Sequence, residues 1–169
     1  MGRSEQKMLP NRYRVFPRTL CFIVKGGEVL LLRGAPDKPI WPNRLNGVGG
    51  HVEADEDVYS AALREIYEET GLAVHDLQLC GVINIPVTPP EAGVALFVFK
   101  ATASEHEVHA SPEGKLEWIP CGHLPLEQMV QDLPRLLPRV LAMGPDAAPF
   151  FALYRYDEHD RLQIHFAGG

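Results

Sequence analysis

The chain has 169 residues, 46% of them hydrophobic and 22% charged, with a formal net charge of −6. That length and balance fit one globular domain with a sizeable core and exclude wholesale disorder. The acidic charge argues against a stable nucleic-acid binder, which carries a basic face, but leaves a small anionic substrate open because a bound metal supplies local positive charge.

Residues 1–17 read as a basic N-terminal arm without a clear period, and residues 18–169 as a single domain. Thr19–Lys25 and Glu28–Arg33 are apolar, β-rich runs separated by Gly26-Gly27, a hairpin signal. Arg33 closes the second run and is either a phosphate contact or a surface charge. Residues 34–44 (GAPDKPIWPNR) form a Pro-rich loop of the kind that carries function. In it Lys38 and Arg44 are candidate phosphate partners, and Trp41 is expected to pack beneath the loop. Leu45–Val52 (LNGVGGHV) reads as a short strand broken by glycines.

The segment Gly50–Leu72 (GHVEADEDVYSAALREIYEETGL) reads as a loop feeding a helix. Asp55 or Asp57 can cap the helix start, and Gly71 stands where a C-cap is expected. Tyr59, Leu63 and Ile66 fall at i, i+4 and i+7, an apolar stripe for the core. Glu65, Glu68 and Glu69 share a different face. Like charges so placed weaken an isolated helix, and a hard divalent cation that takes oxygen ligands reverses the sign of that effect. The plainer reading of the same residues is a solvated acidic face with Arg64 paired to Glu68.

Beyond the helix, residues 73–87 and 94–101 read as strands of a hairpin turning at 88–93, and 104–115 as a polar loop. His106 and His109 in that loop lack the further ligands a metal site needs. Lys115–Ile119 is a short strand in which Glu117 faces outward. Leu124–Met143 has a helical pattern interrupted by Pro134 and Pro138, which predicts two short helices or one bent one. Phe150–Tyr156 and Leu162–Phe166 form a last hairpin. Cys21, Cys80 and Cys121 are odd in number and widely spaced with no C-x-x-C, so they read as reduced thiols in or near the core of a cytoplasmic protein. No apolar run is long enough for a membrane span, and no apolar leader is evident near residue 1.

Gly50, Glu56 and the run Arg64-Glu65-Ile66-Tyr67-Glu68-Glu69-Thr70-Gly71-Leu72 match every fixed position of the Nudix hydrolase signature, so the chain resembles that family. The resemblance implies an α+β fold, an α/β/α sandwich with a central mixed β-sheet. It implies cleavage of a diphosphate linked to another group, usually a nucleoside, with Mg²⁺ as cofactor and Mn²⁺ as the alternative. It also implies a metal set of Glu65, Glu68 and Glu69, the Gly49 carbonyl and, from a later loop, Glu113. Arg64 then serves as a brace that pairs with Glu56 and orients the glutamates. The general base is Glu65 or a later carboxylate such as Glu113.

Leu45-Asn46-Gly47-Val48-Gly49-Gly50 resembles a segment of the oxidised-purine nucleoside triphosphate hydrolases, in which the Asn reads the base. Asn46 matches it, although an Asn before Gly47 is equally a turn residue. Asp132 falls near that subfamily's acidic base-reading stretch. Val130 and Leu133 depart from it, standing where a stacking aromatic and a second acid belong. The implied activity is hydrolysis of a nucleoside triphosphate to monophosphate and pyrophosphate by a monomer or homodimer whose partner is a small nucleotide. The rivals are an ADP-ribose or nucleotide-sugar pyrophosphatase and a catalytically silent nucleotide sensor, against which the intact glutamates argue.

Overall fold

A computed structural model describes residues 12–87 and 92–168. Eight strands form one mixed sheet: β1 (Arg14–Lys25), β2 (Glu28–Gly34), β3 (Leu45–Asn46), β4 (Val74–Val87), β5 (Ala92–Ala103), β6 (Gly114–Pro120), β7 (Phe150–Tyr156) and β8 (Leu162–Phe166). Their order is β3-β2-β1-β5-β4-β7-β8, with β6 also on β2. The β1–β5 and β4–β7 pairs are parallel and the others antiparallel.

Alternation along the strands feeds two cores. Leu20 and Phe22 of β1 with Val29 and Leu31 of β2 face one side, where Leu133, Leu136, Leu137 and Val140 of α2 (Leu133–Leu141) cover them. Cys21, Ile23, Leu30 and Leu32 face the other side, under Ala62 and Ile66 of α1 (Val58–Thr70). β2 and the second half of β1 are therefore buried on both faces, which explains their near-continuous apolar sequence. This is the layered α+β sandwich that the resemblance implies.

The Gly26-Gly27 hairpin turn is present, with both glycines at positive φ (57° and 86°). Beyond it β1 and β2 part, and residues 45–51 fill the gap: β3 pairs with β2, while Val48 and His51 bridge to Cys21 and Arg18 of β1. The Asp57 carboxylate accepts from the backbone N–H groups of Tyr59 (2.8 Å) and Ser60 (3.1 Å), and Gly71 closes the helix in the left-handed region at φ 75°. Thus α1 is tied at both ends directly behind the glycine segment. Among the described residues no helix is long and apolar enough to cross a membrane.

Several expectations are corrected. β1 begins at Arg14 and runs in register with β5, so Arg14–Pro17 belong to the sheet; residues 1–11 of the expected arm lie outside the described residues. The strand expected over Leu45–Val52 is regular only at Leu45–Asn46. Tyr59 and Leu63 are not core residues. They are exposed, and α1 packs through Ala61, Ala62, Ile66 and Thr70. Small alanines let the helix lie close to the sheet and leave the larger side chains at its rim. Trp41 is 54% exposed, not packed under its loop. The segment with two prolines resolves into a short 3₁₀ helix at Leu126–Gln128 and α2, which begins next to Pro134 and carries Pro138 within it. All three cysteines are free thiols, and burial raises the pKa of each.

Candidate active site

The glycine segment and the acidic face of α1 meet edge to edge. Gly49 has φ 144°, and a β-carbon there would collide with the Thr19 carbonyl, so only glycine lets the segment lie this close to β1. Its N–H donates to Glu69 Oε2 at 3.1 Å. The space beside Gly50 that a side chain would occupy is filled by the Glu65 carboxylate. The fold thus presses two carboxylates of one helix face against two glycines. Burial raises the Glu69 pKa from 4.5 to about 7; the Glu65 and Glu68 charges add to that rise, while Gly49 N–H and Lys38 oppose it.

Arg64 fans out behind them. Its Nε donates to Glu56 Oε2 at 3.0 Å, Nη1 to Glu65 Oε1 at 2.9 Å and Glu68 Oε2 at 3.0 Å, and Nη2 to the His51 carbonyl at 3.0 Å. The Arg64 contact and the Glu53 N–H hold the Glu56 carboxyl below its ordinary pKa. This guanidinium fixes the loop, the helix and two of the three glutamates relative to one another. It leaves Glu65 Oε2 and Glu68 Oε1 outside its contacts. Among the described residues no three His, Cys, Asp or Glu side chains converge on a common metal position. The donor set offers oxygen atoms only, which suits a hard cation, and a desolvated carboxylate beside like charges is the environment such a cation relieves.

Glu113 and Lys38 line the same site and form an ion pair with each other. Ala35 N–H donates to the Glu113 carbonyl at 3.1 Å, tying the two loops together. At the same end Arg18 donates to His51 Nε2 from both Nε (3.0 Å) and Nη2 (2.8 Å).

Gly49, Gly50, Glu65, Glu69, Glu113, Lys38, Arg18 and His51 line a cleft of roughly 780 Å³, whose lining also includes Asn46, Gln131, Asp132, Tyr154 and Tyr156. Asn46 Oδ1 accepts from Gly47 N–H at 2.9 Å, so the turn role is present and its amide NH₂ is the group left for a ligand. Burial raises the Asp132 pKa. Burial, and after it the charge of Asp132 and a hydrogen bond to it, raise the pKa of Tyr154. Val130 and Leu133 are both buried in the core on the α2 side. The aromatic rings of the cleft are instead Trp41, Tyr154 and Tyr156.

Glu65, Glu69, Glu113, Gly49, Asn46 and Asp132 are therefore brought to one cavity, whereas Arg64 and Glu68 do not line it: Arg64 links Glu68 to Glu65, and Glu68 lines a separate depression with Tyr67 and His109. Arg33 does not line it either. It donates to both Glu117 oxygens (2.9 and 3.0 Å), to Gln128 Oε1 (2.9 Å) and to the Asn43 carbonyl (3.2 Å). Glu117 accordingly does not point freely outward, and the Arg33 contact holds its carboxyl below the ordinary pKa. His106 contacts Glu28 and the Trp118 ring, and His109 donates its backbone N–H to the Thr70 carbonyl.

Sequence reasoning missed Arg18, His51, Tyr154 and Tyr156. The i, i+2 alternation of β7 puts Tyr154 and Tyr156 on one face, a legible signal, but which face meets the cleft depends on the parallel pairing of β7 with β4.

A family model described as NUDIX domain matches residues 15–140. The oxidized purine nucleoside triphosphate hydrolase of Danio rerio is 29% identical over 147 residues, which cover 87% of this chain and 90% of that one. The Mus musculus protein of the same name is 27% identical over 114 residues, 68% of this chain and 72% of that one. Among solved structures, the Mutator MutT protein of Bacillus halodurans superposes with a TM-score of 0.76 at 27% identity, covering 92% of this chain and 99% of that one.

Proposed function

The chain belongs to the Nudix hydrolase family, and from that premise we propose that it is a Mg²⁺-dependent pyrophosphohydrolase converting a nucleoside triphosphate to its monophosphate and pyrophosphate. The observation that carries this reading is the one cleft lined by Glu65, Glu69 and Glu113 together with Asn46 and Asp132. Its volume falls within the roughly 300–1,000 Å³ usual for small-molecule sites. The names of the two vertebrate relatives support the same substrate class.

In this reading Glu65, Glu68, Glu69, Glu113 and the Gly49 carbonyl would hold the cation, all through oxygen. When bound, a divalent cation neutralises charge on the diphosphate oxygens and acidifies water. The chain's own groups supply the rest. Arg64 holds Glu65 and Glu68 in place through the contacts described above. Water attacks one phosphorus, the bond to the bridging oxygen breaks, and pyrophosphate leaves with the electron pair. The proton passes to Glu65 or Glu113, whichever lies within hydrogen-bond reach of the attacking water. Lys38, paired with Glu113, is placed to exchange that partner for a phosphate oxygen. Asn46 NH₂ and Asp132 face the base.

The test is a phosphate-release assay with Mg²⁺ over canonical and oxidised nucleoside triphosphates, ADP-ribose and nucleotide sugars, coupled through inorganic pyrophosphatase. The expected result is release of pyrophosphate from triphosphates, abolished by a chelator. A preference for ADP-ribose or a nucleotide sugar overturns the proposal. Glu65→Gln and Glu113→Gln, compared across pH, identify the proton acceptor: the variant that loses the acidic limb of the kcat profile carries it.

A further inference from the structure

Arg18 lines the cleft as a cation that no carboxylate neutralises. Among the described residues its side chain has one hydrogen-bond partner, the His51 ring, to which Nε donates at 3.0 Å and Nη2 at 2.8 Å. Arginine has no acceptor, so both bonds end on an unprotonated Nε2. The imidazole therefore fixes the guanidinium without cancelling its charge, where a carboxylate would do both. The other cations of the lining are engaged differently: Lys38 is paired with Glu113, and Arg44 donates to the Glu127 carbonyl. The bonds to His51 use the side edge of the guanidinium. They leave the Nη1–Nη2 edge open, the fork that fits two oxygens of one phosphate. Backbone pairing sets the position. Arg18 and His51 stand opposite each other across an antiparallel bridge, and Thr19 N–H donates to the Gly50 carbonyl at 2.9 Å. The residue that holds the guanidinium is thus the neighbour of Gly50, beside which the Glu65 carboxylate lies. The His51 backbone is itself braced, because its carbonyl accepts from the same Arg64 that contacts Glu65 and Glu68.

We propose that Arg18 is a phosphate-binding residue, with His51 as the residue that positions it: the open edge of the guanidinium donates to oxygens of the substrate's phosphate chain. The ligand class is an organic di- or triphosphate, which brings the negative charge that Arg18 lacks in the protein. No carboxylate has to be displaced first, in contrast to Lys38, which must leave Glu113. The inference rests on the nucleotide reading above and adds a residue outside the Gly50–Leu72 signature.

Binding rather than turnover tests it first. Mn²⁺ alone, and then inorganic pyrophosphate in the presence of Mg²⁺, are titrated calorimetrically into the wild type, Arg18→Met, Arg18→Lys and His51→Gln. Arg18→Met should weaken pyrophosphate about tenfold or more, the scale of a charge-assisted hydrogen bond, and leave the Mn²⁺ affinity and the melting temperature unchanged. Arg18→Lys keeps the charge without the fork and should recover only part of the loss. His51→Gln keeps a neutral acceptor and should bind pyrophosphate more tightly than Arg18→Met. Three results overturn the proposal: a wild type that does not bind pyrophosphate, an undiminished affinity in Arg18→Met, or a parallel loss of Mn²⁺ and pyrophosphate, which would make Arg18 a brace for the glutamates. A chain that binds pyrophosphate through Arg18 yet releases none from triphosphates would refute the proposed reaction and leave Arg18 standing. Cleavage of triphosphates by Arg18→Met with the KM of the wild type would refute Arg18 alone.

Discussion

The Glu65 carboxylate occupies the place beside Gly50 where a side chain would stand. A methyl group there meets the far end of a flexible side chain and not backbone, so the fold can absorb it by moving Glu65. Gly50→Ala should therefore melt within a few degrees of the wild type while kcat falls at least tenfold, since an ångström of misplacement is felt strongly in catalysis. Gly49→Ala meets the Thr19 backbone at φ 144° and should lose stability as well. Thermal melts beside Mg²⁺-dependent turnover separate the two, and full activity in Gly50→Ala would show that the Glu65 position does not matter.

Arg33 joins β2, β6, the 3₁₀ helix and the 34–44 loop through Glu117, Gln128 and the Asn43 carbonyl. The pair is only partly exposed (25% and 19%), so it is screened less than a surface ion pair but well short of a buried one. Arg33→Met should cost about 1–2 kcal/mol in denaturant unfolding and leave KM for the substrate nearly unchanged. A raised KM with undiminished stability would return Arg33 to the substrate.

The contrast between these residues shows what could be read in advance. The Gly26-Gly27 turn, the Gly71 cap and the shared face of Glu65, Glu68 and Glu69 are local, set by backbone conformation and helical period, and were legible, while the N-cap was legible only as Asp55 or Asp57 until the structure selected Asp57. The Arg33–Glu117 pair spans 84 residues and depends on β2 lying antiparallel to β6, which no local pattern encodes. The buried face of α1 was misread for another reason. Apolar size suggested Tyr59 and Leu63, whereas close approach to the sheet selected Ala61, Ala62 and Thr70. Tyr154 was hidden because the role of its face follows from the parallel β4–β7 pairing.

Asn46 has two polar ends with different work. Its oxygen accepts from Gly47 N–H, and its NH₂ is the part available to a base. Asn46→Asp keeps the acceptor and removes the donor, so it should preserve the melting temperature while raising KM for the preferred triphosphate about tenfold. Asn46→Ala removes both and should lower stability too. Equal KM values for Asn46→Asp and the wild type would reduce Asn46 to its turn role.

Stability should vary with pH on both sides of an optimum. Glu117, held by Arg33, and Asp57 and Asp157, held chiefly by the backbone N–H groups of Ser60 and Arg161, have pKa values below their ordinary ones. The unfolded chain binds more protons than the native state as these groups titrate, so their contribution is full above the ordinary carboxylate range and is lost as pH falls through their native pKa values. Glu69 works in the opposite direction. Its pKa is raised from 4.5 to about 7 by burial, so the metal-free native state retains a proton that the unfolded chain has released, and stability falls as pH rises between those values. Melts in a chelator should therefore peak near the lower end of that window and decline on both sides. Glu117→Gln should flatten the acidic limb and Glu69→Gln the neutral one. A neutral limb that survives in Glu69→Gln would place the responsible proton elsewhere, with Asp132, whose pKa is also raised by burial, as the next group to substitute.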